Sequence, residues 1–369
     1  MNEAKKELSQ KLAGGVAPLK ALIGFDGFVD EIVHVVDKRI DPENFSRIDT
    51  ILSYSERLKN GCGLSTNVEI VAVQKKLGGN GPIFANALKK HNISLTYIGC
   101  VGENGHDPVF DELAAGSVMI GLTEPGHTDA YEFHDGKIIV SKIEHFKNVT
   151  WERIMEKVGL DAFVKIVDES DLIGMENWTM LPHMSDIWRS FLADVLPRMK
   201  SRPQDKRLFF DLADPEKRSA QDIKEAIELI NAFSKAGFPV TLGLNKKEAC
   251  EIAELYGGQI SDYQAYPLKE LCESLVKDIR IDCLVIHPVD RACCYAGGAY
   301  YEVAGPYCEH PVLTTGAGDT FNSGFVLGWM NGYPYQQCLL CGVGASGYYV
   351  RNAKSPDTEE LKNFLNTWE

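Results

Sequence analysis

Residues 314–325 read TTGAGDTFNSGF, so Gly316, Ala317 and Gly318 lead directly into Asp319. Glycine is costly at a helix start unless the backbone itself is needed there. Unpaired N–H groups at a helix N-terminus make an anion site. The amides of 316–319 would hold an anion and stabilise negative charge growing on it. An aspartate beside such a cradle suits one task, taking the proton of a hydroxyl as that hydroxyl attacks. Cradle plus base is the minimal equipment for moving a phosphoryl group onto an alcohol. The plainer reading is an N-cap aspartate after a glycine turn. A bare G-x-G-D favours the cap; the longer string is far more specific.

Three further stretches carry candidates. IGFDGFVDEI (23–32) places Asp26 and Asp30 at the end of an apolar run, where a carboxylate can accept hydrogen bonds from paired hydroxyls. Both also suit loop caps, Asp26 more than Asp30. In LGGNGPIFANAL (77–88), Gly78 and Gly79 let backbone approach a ligand before a helix opens at Pro82, and Asn80 offers an amide to a hydroxyl. The alternative there is an αL turn. In LGLNKKEACEIAEL (242–255), Asn245 and Glu248 have the spacing of an N-cap and its N3 partner, a capping box in all but the Ser/Thr.

The elements that must position these residues alternate. Strand-like runs at 21–25, 95–101, 172–178, 207–212, 239–244 and 283–287 are separated by helical patterns at 81–91, 185–199, 220–236, 246–256 and 268–278. That order predicts an α/β fold, a doubly wound and mainly parallel sheet with helices on both faces. Ligands in such sheets bind at the carboxyl ends of the strands. Two segments, near 28–77 and 117–144, break the alternation, and Asp135-Gly136 between alternating runs signals a hairpin. They are expected to form a small β lid on a single domain spanning 1–369. Three helices are expected over 316–367.

The 369 residues carry a net charge of −14 with no Lys/Arg-rich stripe, which argues against nucleic acid or an anionic membrane as partner. No apolar run reaches a membrane span, and the first residues, MNEAKKELSQKL, lack a signal-peptide h-region. The ten scattered cysteines read as free thiols of a cytoplasmic protein. Cys338 and Cys341 form a C-x-x-C inside an apolar helical pattern, where core packing is the expectation. GVGASG (342–347) follows a helical run rather than a strand, so its G-x-G-x-x-G reads as close helix packing. No G-x-x-x-x-G-K-[ST] occurs, and His34, His183 and His287 show no metal-ligand spacing.

Taken together, TTGAGDTFNSGF, LGGNGPIFANAL, LGLNKKEACEIAEL and VRNAKSPDTEELKNFL (350–365) resemble, in order and rough spacing, the signatures of the ribokinase-like carbohydrate kinases, the PfkB family. The resemblance covers most of the chain and implies an ATP- and Mg²⁺-dependent kinase acting on a sugar or nucleoside hydroxyl. It implies Asp319 as catalytic base, with Gly316, Ala317 and Gly318 as the anion hole. Asp30, Asp26, Gly78, Gly79 and Asn80 would bind substrate. Asn245, Glu248, Asp290 and Gly344 would bind nucleotide, Glu248 also organising Mg²⁺ through water. The resemblance further implies a homodimer paired through the lid.

The chain departs from the family pattern at Ile83, where Asn is usual, at Leu313, where Asp is frequent, and at Val289 and Ala292, where glycines are usual. Besides a sugar kinase, two alternatives stand: a nucleoside kinase, with Tyr131 and Phe133 of the lid stacking on a base, and a catalytically silent sugar or nucleotide sensor. Asp290 with Arg291 reads equally as an exposed turn pair. Trp178 and Met180 are expected in the core.

Overall fold

The computed structural model describes residues 2–368. The apolar runs form a nine-stranded sheet. Its spatial order is Ala299–Ala304, Arg291–Ala296, Cys283–Ile286, Val240–Leu244, Arg207–Asp211, Leu172–Met175, Lys20–Phe25, Ser94–Gly99 and Val118–Gly121. Every pairing is parallel except the two made by Arg291–Ala296. Side chains alternate across a strand, so a sheet covered on both faces needs apolar residues at consecutive positions. Leu22, Ile173, Leu208, Phe210 and Leu242 enter the core on one face, and Ala21, Ile23, Leu172 and Phe209 enter the core on the other. Helices supply the covering side chains: Trp188 and Phe233 on the first face, Phe84, Phe321 and Phe325 on the second.

From its first strand, Lys20–Phe25, the chain first pairs Ser94–Gly99 on one side and later Leu172–Met175 on the other. This reversal opens a crevice at the carboxyl ends of the strands, where loops rather than helices meet.

The second sheet begins two residues after the first strand. Its spine is Phe28–Arg39, paired with Ile70–Gly78, with Phe45–Arg47 and with Gly126–Phe133, the last of which in turn pairs Gly136–Lys142. The Asp135-Gly136 signal thus marks the turn of a hairpin. Val118–Gly121, expected in the lid, instead pairs in parallel with Ser94–Gly99 in the main sheet, and the second sheet takes up that segment only from Gly126.

The expected helix 185–199 is broken into Met184–Ser190, a π turn at Phe191–Val195 and a 3₁₀ turn at Leu196–Arg198. Pro197 has no N–H to give the preceding turn, which widens and then tightens around it. The last three helices are Ala317–Met330, Tyr335–Asn352 and Thr358–Thr367. The small residues of GVGASG do serve close packing: a Cβ on Gly342 would lie 2.6 Å from the Phe321 ring. All ten cysteines are free, Cys338 and Cys341 among the buried ones, and no helix among the described residues is long and apolar enough to cross a membrane.

Candidate active site

Gly316 caps helix Ala317–Met330 with φ 92°, a conformation glycine adopts without strain. The turn spends one amide on itself, since Ala317 N–H donates to Thr314 O at 3.1 Å. The N–H groups of Gly316 and Gly318 find no acceptor among the described residues. They are the open donors of the cradle, and the helix dipole adds to them.

Asp319 is buried one residue further on, its Oδ1 accepting from Asn80 Nδ2 at 2.9 Å. Burial pushes its pKa up to about 8; the nearby carboxylates of Asp26 and Glu248 push the same way, and the Asn80 hydrogen bond pulls back. A carboxyl so placed binds a proton avidly, which is what a general base needs.

Two cavities meet at this helix start. One, of about 280 Å³, lies between the sheets and has Asp30, Lys76, Gly79, Asn80, Gly316 and Asp319 in its wall. The other, of about 350 Å³, is lined by Asn245, Val289, Pro306, Ala317, Gly318 and Val343. It adjoins an open groove, of about 860 Å³, that shares Asn245, His287 and Arg291 with it. Gly316 and Asp319 therefore face the first cavity, while Ala317 and Gly318 face the second. Ile83 and Leu313 also line the first cavity, as does Met180, which was expected in the core; Trp178 is fully buried.

The two N-terminal aspartates have separated roles. Asp30 lines the first cavity. Asp26, expected to touch substrate, is fully buried and outside both cavities. Its Oδ2 accepts from Asn80 N at 2.9 Å and from Asn177 Nδ2 at 2.8 Å, and its Oδ1 from Gly81 N at 2.9 Å. It clamps the start of helix Asn80–Lys89 and so fixes the Asn80 that holds Asp319. Gly78, also expected at the substrate, is buried against the Asp30 carboxyl and leaves the space that Asp30 occupies.

Asn245 and Glu248 form the capping box outright: Asn245 Oδ1 accepts from Glu248 N at 3.0 Å and Glu248 Oε2 from Asn245 N at 2.8 Å. Glu248 Oε1 also accepts from Asp214 N at 2.9 Å, tying this loop to the one after Arg207–Asp211. Asp290 pairs with Arg291 at 2.8 Å on the open groove; Arg291 also lines the second cavity, and Asp290 does not. Gly344, expected at the nucleotide, instead faces Leu361 and Leu365 of the last helix; its neighbours Val343, Ser346 and Gly347 line the cavity. Ala292 is buried within its strand rather than in the loop.

Sequence reasoning missed several groups. Glu176 and Asp211 follow or end their strands, fully buried or nearly so, and burial pushes both carboxyls well up. Both Glu176 oxygens lack a hydrogen-bond donor, so the protonated form is favoured. Asn177, Asp214 and Lys76 line the first cavity. Position was the available signal for all but Lys76, because residues just past the carboxyl ends of parallel strands face the crevice. Glu248 lies near the carboxyls of Asp211 and Asp214, but among the described residues no three His, Cys, Asp or Glu side chains are grouped to hold a metal ion directly, so a divalent cation at Glu248 would keep its waters as ligands.

The family model of prokaryotic ketohexokinases matches residues 1–368. A ketohexokinase of Haloferax volcanii is 26% identical over 365 residues, covering 98% of this chain and 94% of the relative. Among solved structures, an Arabidopsis thaliana ribokinase complexed with ribose and ATP aligns with a TM-score of 0.64 at 15% identity, covering 95% of this chain and 99% of that one. A Sinorhizobium meliloti adenosine kinase gives 0.64 at 17%, covering 94% and 98%. A Methanocaldococcus jannaschii nucleoside kinase gives 0.61 at 16%, covering 95% and 99%. The fold is thus that of the ribokinases, a large mainly parallel sheet with a smaller second sheet. The chain belongs to the prokaryotic ketohexokinase family and is a carbohydrate kinase.

Proposed function

We propose that the protein transfers the γ-phosphoryl group of ATP to a primary hydroxyl of a ketohexose, with Asp319 as the base. One observation carries the reading: a single helix start presents a carboxyl and the open Gly316 amide to the cavity under the lid and the open Gly318 amide to the cavity beyond it. In that arrangement the sugar lies against Asp30, Gly79 and Asn80. Its hydroxyl gives its proton to Asp319 as the oxygen attacks phosphorus, and the leaving group departs into the second cavity. The Gly316 and Gly318 amides take up charge on the transferring phosphoryl oxygens. Mg²⁺, held through water by Glu248 beside Asp211 and Asp214, would supply further neutralisation of phosphate charge. The lid shuts water out of the reaction.

The ketohexose assignment rests on the family match and the Haloferax volcanii relative. The nucleoside alternative loses its support within this chain. Tyr131 and Phe133 pack with Tyr54 on the lid face turned away from the cavity, ring centroids 6.0 and 5.6 Å from the Tyr54 ring, and neither lines the cavity. We also propose that two copies pair through the lid, whose edge strands expose Ile139, Val140, Ile70 and Val73. Light scattering giving a dimer supports this; a monomer at micromolar concentration overturns it. The test of the activity is ADP release with ATP, Mg²⁺ and a panel of ketohexoses, aldoses and nucleosides. Turnover confined to ketohexoses is expected, and turnover on nucleosides alone would overturn the assignment.

A further inference from the structure

The lid reads as rungs. Asp30 stands opposite Lys76 on one neighbouring strand and beside Thr128 on the other, and Thr128 stands opposite Ser141. Residues in register share a face. All four line the cavity that holds Asp319. The next rung on that face, Ile32, Ala130 and Ile139, is apolar and also lines it. The lid therefore offers substrate a polar rung of four side chains beside an apolar strip, which suits a carbohydrate with hydroxyls on one side and C–H groups on the other.

Three members of the polar rung are already joined. Thr128 Oγ1 lies 3.2 Å from Ser141 Oγ, and the Asp30 carboxyl, whose pKa burial raises, is steadied as a carboxylate by the Lys76 charge opposite and by the Thr128 hydroxyl beside it. Lys76 is the exception. Its neighbour Lys75 pairs with Asp107 at 3.3 Å, and the cavity's other lysine, Lys137, pairs with Glu132 at 3.2 Å. The Lys76 ammonium makes no hydrogen bond and no ion pair within 4 Å among the described residues; burial pushes its pKa down while the Asp30 carboxylate across the rung attracts it. Holding a partly desolvated cation without a partner costs stability. Such a cost is typical of a binding group waiting for its ligand.

We propose that Lys76 is a specificity-determining residue of the sugar site, donating from its ammonium to an oxygen of a neutral ketose while Asp30 accepts from neighbouring hydroxyls. This rests on the kinase reading above and names how that site reads its substrate. The acids beside it decide the ligand's charge. Asp30, Glu132 and Asp319 attract the ammonium and Lys137 repels it, so a phosphate or carboxylate on the sugar would meet three carboxyl groups and two lysines, one of them already paired with Glu132. A hydroxyl or ring oxygen meets a donor and an acceptor side by side.

The test compares Lys76→Met, Lys76→Arg and, as an exposed neighbour, Lys75→Met. Binding of D-fructose is measured by calorimetry without nucleotide, beside steady-state kinetics. Lys76→Met should weaken fructose Kd and raise its KM on the order of 10- to 100-fold, the loss of a charged donor. The KM for ATP should stay within about twofold, and the variant should remain folded. Lys76→Arg should recover part of the affinity, and Lys75→Met should match wild type. Unchanged fructose binding in Lys76→Met overturns the proposal. So does a fall in kcat at constant KM, which would place the ammonium on the phosphoryl group, or a fall in melting temperature with sugar affinity intact. Wild-type protein that ignores every ketose would fail the kinase reading instead, a result visible before any variant is made.

Discussion

Replacing Asp319 by Asn is the sharpest perturbation of the site, because geometry and chemistry separate there. The amide is isosteric, and its Oδ1 can still accept from Asn80 Nδ2, so the 2.9 Å contact and the helix start survive. What disappears is the proton acceptor. General-base catalysis is worth roughly 10²–10⁴-fold, or about 3–5 kcal/mol of barrier. A coupled ADP-release assay should show kcat lower by that factor, with fructose and ATP affinity little changed. Stability should move the other way. The Asp319 pKa is raised from 3.8 to about 8 in the fold, so between those pH values the native state holds a proton that the unfolded chain has released. Stability from this group therefore falls as pH rises from about 4 to 8. The melting temperature of Asp319→Asn should match wild type near pH 4 and exceed it increasingly up to about pH 8. In ligand-free terms, wild-type kcat/KM should climb to about pH 8 as the carboxyl ionises. Near-full turnover in the variant, or a variant less stable than wild type at pH 8, would refute the reasoning.

Four other substitutions probe separate parts of the account. Asp26→Asn should unfold far more readily than Asp30→Asn, because an amide faces three donors with one acceptor oxygen, leaving buried N–H groups unpaired at about 1–3 kcal/mol each; Asp30→Asn should stay folded and lose sugar affinity, and urea unfolding beside sugar titration separates the two. Gly318→Ala should fold normally at its helical position, yet its Cβ would sit 3.3 Å from the His287 ring in the cradle wall; kcat should drop at least tenfold with sugar KM unchanged, read by steady-state kinetics. Glu248→Gln sets an NH₂ against one of two backbone donors now served by its oxygens, costing about 1–2 kcal/mol in chemical denaturation, and should raise the Mg²⁺ concentration for half-maximal rate several-fold.

The parts of the site legible in the sequence are those set by local chain. Gly316 to Asp319 declare a glycine-capped helix start, and Asn245 with Glu248 declare a capping box within four residues. The strand–helix alternation likewise gave the parallel sheet, since each strand is a continuous apolar run needing cover on both faces. What was not legible depends on distant partners. Asp26 and Asp30 look alike in IGFDGFVDEI, but Asn177, 151 residues away, and the Asn80 amide turn Asp26 inward. Lys76 sits in a polar stretch whose strand is defined only by pairing across Phe28–Arg39, with an irregularity in register between Ile32 and Val33. Gly344 could be assigned to a face of its helix only once Leu361 and Leu365 had packed on it. Val118–Gly121 is too short to show whether it belongs to the main sheet or the lid.

The most direct measurement is product analysis of the wild-type reaction with D-fructose, ATP and Mg²⁺, following ADP release and identifying the phosphate ester by ³¹P and ¹³C NMR. Stoichiometric ADP and a monophosphate on a primary hydroxyl of the ketose are expected, both lost on the same time scale in Asp319→Asn. A ketose left unchanged while another acceptor is phosphorylated would contradict the account, as would ester formed at wild-type rate by the Asp319→Asn variant.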